Sequence, residues 1–161
     1  MRVAWMWLPM VLMGACAAQP PADPLAVELP PGETSLSEIG RFRVGLQSYG
    51  QAIEYLPDGW VGHFEDRTGV SYDPGQTVLG REAVLLHSPW RVPPGRMFVE
   101  YHLRLPKATP ITFRTGITMN PYSMEPDKSD GVTFSAYLTD GAEKQLFKEH
   151  YAKAEWKDLS F

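Results

Sequence analysis

Cysteine is almost missing from this chain of 161 residues; the one present is Cys16. A single thiol forms no internal disulfide, so a small fold stapled by disulfides is excluded. Cys16 lies in the N-terminal segment, which also removes thiol catalysis from the domain. Excess positive charge is lacking as well. Fifteen Lys and Arg face 19 Asp and Glu, a formal net charge of -4, which offers no electrostatic grip on nucleic acid. Arginines of the domain such as Arg41, Arg43, Arg81, Arg91, Arg96, Arg104 and Arg114 are spread along the sequence, as on a solvated surface. No apolar run is long enough to span a bilayer as a helix. The usual catalytic signatures are absent too. There is no GxSxG elbow, no HxH or HExxH spacing and no glycine-rich phosphate loop after a strand. His63, His87, His102 and His150 are dispersed. Glu65, Asp66, Glu82, Glu100 and Glu125 supply carboxylates, but nothing pairs them across a cleft as a glycosidase requires. The expectation is a protein that is not an enzyme.

Proline and glycine are plentiful, at 15 and 14 residues. They interrupt the chain every few residues, which suits short strands better than long helices. The first 18 residues read as a signal peptide: Arg2 is the only charge, and Val3–Ala15 has the size of an apolar h-region. Leu12-Met13-Gly14-Ala15-Cys16 is similar to a bacterial lipobox, which makes Cys16 a candidate for lipidation; ordinary cleavage after Ala17 or Ala18 is the alternative. Both predict export, either to the outer membrane or periplasm as a lipoprotein or into the medium. Any membrane association would then run through the lipid anchor. Residues 19–35, with Pro-Pro at 20–21 and 30–31, read as a Pro-rich linker. The domain is expected over residues 36–161.

Within it, Arg41–Tyr49 alternates Phe42, Val44 and Leu46 with polar residues and predicts a strand. Gln51–Leu56 and Trp60–Glu65 suggest two more, separated by the turn Pro57-Asp58-Gly59. Residues 66–80 read as loop. Glu82–His87 reads as a strand buried on both faces. Met97–Leu105 puts Met97, Val99, Tyr101, Leu103 and Leu105 on one face, and Ile111–Met119 repeats the pattern. A polar loop over 120–130 leads into Ser129-Asp130-Gly131-Val132-Thr133-Phe134, a turn feeding the strand Val132–Leu138. The turn Thr139-Asp140-Gly141, then Lys144–Glu149 and Glu155–Phe161, complete about eight or nine strands, a β-sandwich pattern. The chain stops at Ser160-Phe161, inside the last strand. This predicts a sandwich without its final strand or strands and with an open edge.

Gly80-Arg81-Glu82, His87-Ser88-Pro89-Trp90, Leu105-Pro106-Lys107, Ser129–Phe134 and Trp156-Lys157-Asp158-Leu159 together resemble the jelly-roll modules of secreted bacterial proteins. These are similar to carbohydrate-binding-type domains attached to glycoside hydrolases, such as the module seen with glycoside hydrolase family 98. The resemblance implies an all-β, jelly-roll-like β-sandwich whose partner is a glycan or polysaccharide. It covers about Gly80 to Phe161.

Aromatic residues fit that expectation. Trp60, Tyr72, Trp90, Tyr122 and Trp156 fall mostly at loops or strand ends, where a flat ring stacks on the apolar face of a pyranose. Trp60, Trp90 and Tyr122 are the candidate stacking residues, with Arg91, Asp127 and Asp130 as polar contacts; Trp156, inside a strand, reads as core. Asp127, Ser129 and Asp130 admit a structural calcium ion or a plain turn with local hydrogen bonds. No other cofactor is expected. The competing class is a structural or protein-interaction lipoprotein domain whose open edge pairs with a partner strand.

Overall fold

The computed structural model describes residues 23–91, 95–107 and 110–161. The expected signal peptide and Cys16 lie outside them. The described chain is all-β: eleven strands and two short 3-10 turns, at Leu36–Glu38 and Pro121–Met124.

The centre of the first half is β2 (Arg43–Ser48). It pairs antiparallel with β3 (Glu54–Tyr55) on one side and β6 (Gly95–Glu100) on the other. The alternation read from the sequence is realised: Phe42, Val44 and Leu46 are buried. Phe42 and Val44 join Tyr72 in a core against which Leu56, Trp60, Val84, Met97, Val99 and Tyr101 pack. The stretch Met97–Leu105 is not one strand. It breaks at Tyr101-His102, and β7 (Leu103–Arg104) then pairs in parallel with β1 (Val27–Glu28). Part of the stretch read as linker is therefore laid down as a strand, and Leu105 is exposed.

Residues 66–80, read as loop, contain β4 (Ser71–Val78), which forms a hairpin with β5 (Arg81–His87). Pro74-Gly75 mislead because they occupy a bulge. The register shifts between Asp73 and Gln76, and Asp73 Oδ1 accepts the Gly75 N–H. A bulge is where a strand tolerates proline. The hairpin turn is Leu79-Gly80, with φ of 49° and 76°. This is the geometry that a two-residue turn needs between right-twisted strands, without the usual Asn-Gly signal. The expectation that β5 is buried on both faces is not met: among the described residues only β4 pairs with it, and Leu86 is exposed. Trp60–Glu65 is not a strand either; it contributes one isolated bridge, Gly62 to Tyr72.

The second half is built on β8 (Arg114–Ile117) paired with β11 (Lys157–Ser160), and on the long hairpin of β9 (Val132–Asp140) and β10 (Ala142–Tyr151). Ile117, Met119 and Tyr151 are its buried centre, covered by Met124, Val132, Phe134, Phe147 and Leu159. Beyond Ala136 the hairpin leaves this core, so Tyr137 and Leu138 are exposed.

Two tight contacts tie the halves together. Trp156 Nε1 donates to the Val78 carbonyl at 3.1 Å, and Arg81 Nη2 donates to Asp158 Oδ1 at 2.8 Å.

Candidate functional site

The loop between Phe64 and Val70 is held by its own polar groups. Phe64 N–H donates to Ser71 Oγ, Glu65 N–H to the Val70 carbonyl and Gly69 N–H to the Glu65 carbonyl. The Glu65 carboxylate accepts from both the amide and the hydroxyl of Thr68 (2.8 and 2.5 Å). The Thr68 hydroxyl, above all, lowers the Glu65 pKa. Thr68, Val70 and Ser71 are fully buried. A loop with its interior satisfied in this way is a rigid support.

Trp90 and Arg91 rest on that support. Both of their amides donate to the buried Thr68 carbonyl at 3.0 Å, and Arg91 Nη1 donates to the Asp66 carbonyl at 2.8 Å. The Trp90 ring lies so close to Gly69 that a Cβ there would sit 2.3 Å from Nε1. Gly69 also has φ of 79°, which disfavours any other residue. Phe64 meets Trp90 edge to face, with centroids 6.4 Å apart at 88°, and meets His87 at 5.7 Å and 81°. The Arg91 guanidinium carbon lies 4.9 Å from the Trp90 ring centroid. Despite these contacts Trp90 stays 57% exposed and Phe64 50%, with exposed Leu86 close by in sequence on the same hairpin end. His63 Nε2 sits 3.1 Å from Asp73 Oδ2, beside the loop. The Asp73 pKa is lowered by the Gly75 amide first, then Gln76, with His63 contributing less. The result is a shallow aromatic face with a cation at its rim. Its exposed rings have the shape for stacking on a flat ligand.

The residues expected to form one site are divided. Trp90 and Arg91 are together. Trp60 is half-buried and packs against the first core, so its ring is a packing element. Tyr72, also counted among the rings at loops and strand ends, is fully buried, and its hydroxyl lies 3.0 Å from that of Tyr101. Burial, above all, raises its pKa. Tyr122 is exposed on the other half of the chain, with Lys128 Nζ 3.0 Å from its ring centroid. Asp127 and Asp130 share that loop. Asp127 has φ of 64°, and the Asp130 carbonyl accepts from His150 Nε2. Ser129 Oγ accepts the Gly131 N–H. The Ser129 bond is internal to the turn, and the His150 bond ties the turn to β10. Among the described residues no three His, Cys, Asp or Glu side chains gather as metal ligands.

Phe64 joins the aromatic face without having been expected there; His87, close to Pro89-Trp90 in the sequence, joins it too. Phe64 has φ of 52°, a conformation rare for a bulky residue, and no residue pattern announces it.

Among the described residues, no helix is long and apolar enough to cross a membrane. No protein-family model matches the chain, and comparison with curated proteins and with solved structures finds no similar one.

Proposed function

We propose that this chain is a non-catalytic glycan-binding domain of an exported protein, a jelly-roll-like β-sandwich carried by a signal peptide and tethered through Cys16. The binding face is Trp90 with Phe64, and Arg91 supplies the polar contact. One observation carries this reading: Trp90 presents more than half of its surface to water from a backbone held by two hydrogen bonds, from the Trp90 and Arg91 amides to the carbonyl of buried Thr68. A large ring held rigidly in solvent is the usual anatomy of a stacking residue, because the ordering cost is met before the ligand arrives.

Titration of the full chain with a panel of soluble polysaccharides, read by tryptophan fluorescence and by melting temperature, tests it. One glycan is expected to raise the midpoint, since a ligand that binds only the folded state stabilises it. Trp90→Ala is expected to weaken that binding by about tenfold or more, in the range of a central aromatic anchor. A panel that leaves both signals unmoved overturns the reading.

A second reading rests on the β9–β10 hairpin, whose outer half exposes Tyr137 and Leu138 and, among the described residues, has no third strand. Such an edge suits a partner protein that adds a strand. Binding lost in Tyr137→Ser rather than Trp90→Ala would favour it.

A further inference from the structure

A depression of about 470 Å³ opens between the β4–β5 turn and the β8–β11 ladder, lined among others by Arg81, Arg114, Asp158 and Ser160. The register explains its form. Ser160 lies directly opposite Arg114, and Asp158 directly opposite Gly116. These four positions therefore share one face of the ladder. Gly116 puts no side chain there: a Cβ would come within 2.9 Å of the Trp156 ring and 3.1 Å of Asp158 Oδ1. The floor stays open between the Arg114 side and the indole.

Two guanidinium groups border this floor from different directions. Arg81 comes from the hairpin turn and is fixed on two sides. Its carbon lies 4.4 Å from the Trp156 ring centroid, and its Nη2 donates to Asp158 Oδ1. A guanidinium has five N–H donors, so most of the Arg81 fork remains to be used. Among the described residues Arg114 takes part in none of the ion pairs within 4.0 Å. The neighbouring depression along β10 differs. Its lysines are each matched by a glutamate, Lys153 by Glu155 at 3.1 Å and Lys157 by Glu149 at 2.5 Å.

Two arginines against one aspartate leave the first depression with one positive charge. Asp158 orients Arg81 and also repels a second negative charge on a ligand, so the balance suits a monoanion. Arginine pairs bidentately with carboxylates and phosphates, and of these a carboxylate brings the single charge that the balance suits. We propose that this depression is a binding site for a singly charged oxyanion on a saccharide, namely the carboxylate of a uronic acid, held between Arg81 and Arg114 beside Trp156. This deepens the glycan-binding reading and rests on it for the sugar, but the anion site has its own readout.

That readout is the Nε–H resonances of the arginine side chains in the full chain, followed by NMR during addition of sodium glucuronate, glucose or methyl sulfate. Glucuronate is expected to shift the signals of Arg81 and Arg114, and glucose is expected to leave them in place. An oligouronate is expected to bind about tenfold more tightly than its carboxyl-reduced counterpart. Arg114→Gln, at an exposed position, is expected to make the two equal, whereas Trp90→Ala weakens both by the same factor. Equal binding of acidic and neutral oligomers by the wild type overturns the proposal. So does a preference that survives Arg114→Gln, or a glucuronate titration that moves neither arginine. Shifts with methyl sulfate but not glucuronate overturn the carboxylate in favour of a sulfate ester. Shifts with glucuronate and no binding of any polysaccharide uphold the anion site and sink the Trp90 platform instead.

Discussion

Single residues decide whether Trp90 is presented or lost. Gly69 is the sharpest case, because two constraints meet on one Cα. Its φ of 79° costs an L-residue roughly 1 kcal/mol or more. Its missing side chain is also the space occupied by the Trp90 ring edge. Gly69→Ala is therefore expected to destabilise the chain by about 1–3 kcal/mol in a denaturant titration and to shift the Trp90 emission. Glycan affinity should fall with it, although Ala adds no charge and removes no contact atom. Unchanged emission and affinity would mean that the ring is not seated on Gly69. Arg67, on the same loop, pairs with Glu54 of β3 at a half-exposed surface, where an ion pair contributes little.

At the scale of elements, β1 is held to the body by a short parallel ladder and one charged clasp. Val27 and Leu29 amides donate to the carbonyls of His102 and Arg104. His102 Nδ1 meets Asp23 Oδ2 at 2.5 Å, with Glu100 Oε2 3.6 Å from the other ring nitrogen. Asp23 is the largest cause of a raised His102 pKa, with Glu100 adding to it. His102, in turn, is the largest cause of a lowered Asp23 pKa, which the Leu25 amide and Arg104 lower further. The raised histidine contributes stability in full below its unfolded value of about 6.5. That contribution is lost as pH rises through the higher folded value. The aspartate contribution is present above its unfolded value of about 4 and is lost as pH falls through the lower folded value. The clasp is thus complete between roughly pH 4 and 6.5. Hydrogen exchange at Val27 and Leu29, corrected for the intrinsic rate, is expected to show protection declining from pH 6 to pH 9. His102→Gln should abolish that decline. Protection independent of pH in the wild type would show that the ladder alone holds β1.

Across the whole molecule, two small cores share one chain, and the contacts between β4–β5 and β11 couple them. Trp156 is the central piece, through its bond to the Val78 carbonyl, its place under Arg81 and its fit against Gly116. Trp156→Phe removes one hydrogen bond and is expected to cost about 1 kcal/mol. Trp156→Ala removes the coupling, so in calorimetry the wild type is expected to melt in one transition and Trp156→Ala in two. One sharp transition in Trp156→Ala would mean that the cores unfold together without this residue. The same coupling predicts that an anion bridging Arg81 and Arg114 raises the melting temperature of the whole chain.

Local alternation and turn chemistry were enough to determine the all-β class, the inward faces of β2 and β6, and the turn at Asp140-Gly141. In a strand the side-chain period is two, whatever lies beside it. The same rules predicted Trp90 at a strand end, with Arg91 after it. Only the tertiary structure decided the rest. Pro74-Gly75 looks like a loop until β5 is beside it to make a bulge. Apolar β5 looks doubly buried until its sheet is seen to hold one neighbour. Trp60 and Trp90 have the same side chain in similar turns, yet one is packed in the core and the other is held in solvent by Thr68 and Gly69. Arg81 and Asp158 stand far apart in the sequence, and no periodicity encodes their meeting. Burial and charge pairing are properties of what a fold brings together, whereas strand phase is carried by the nearest few residues.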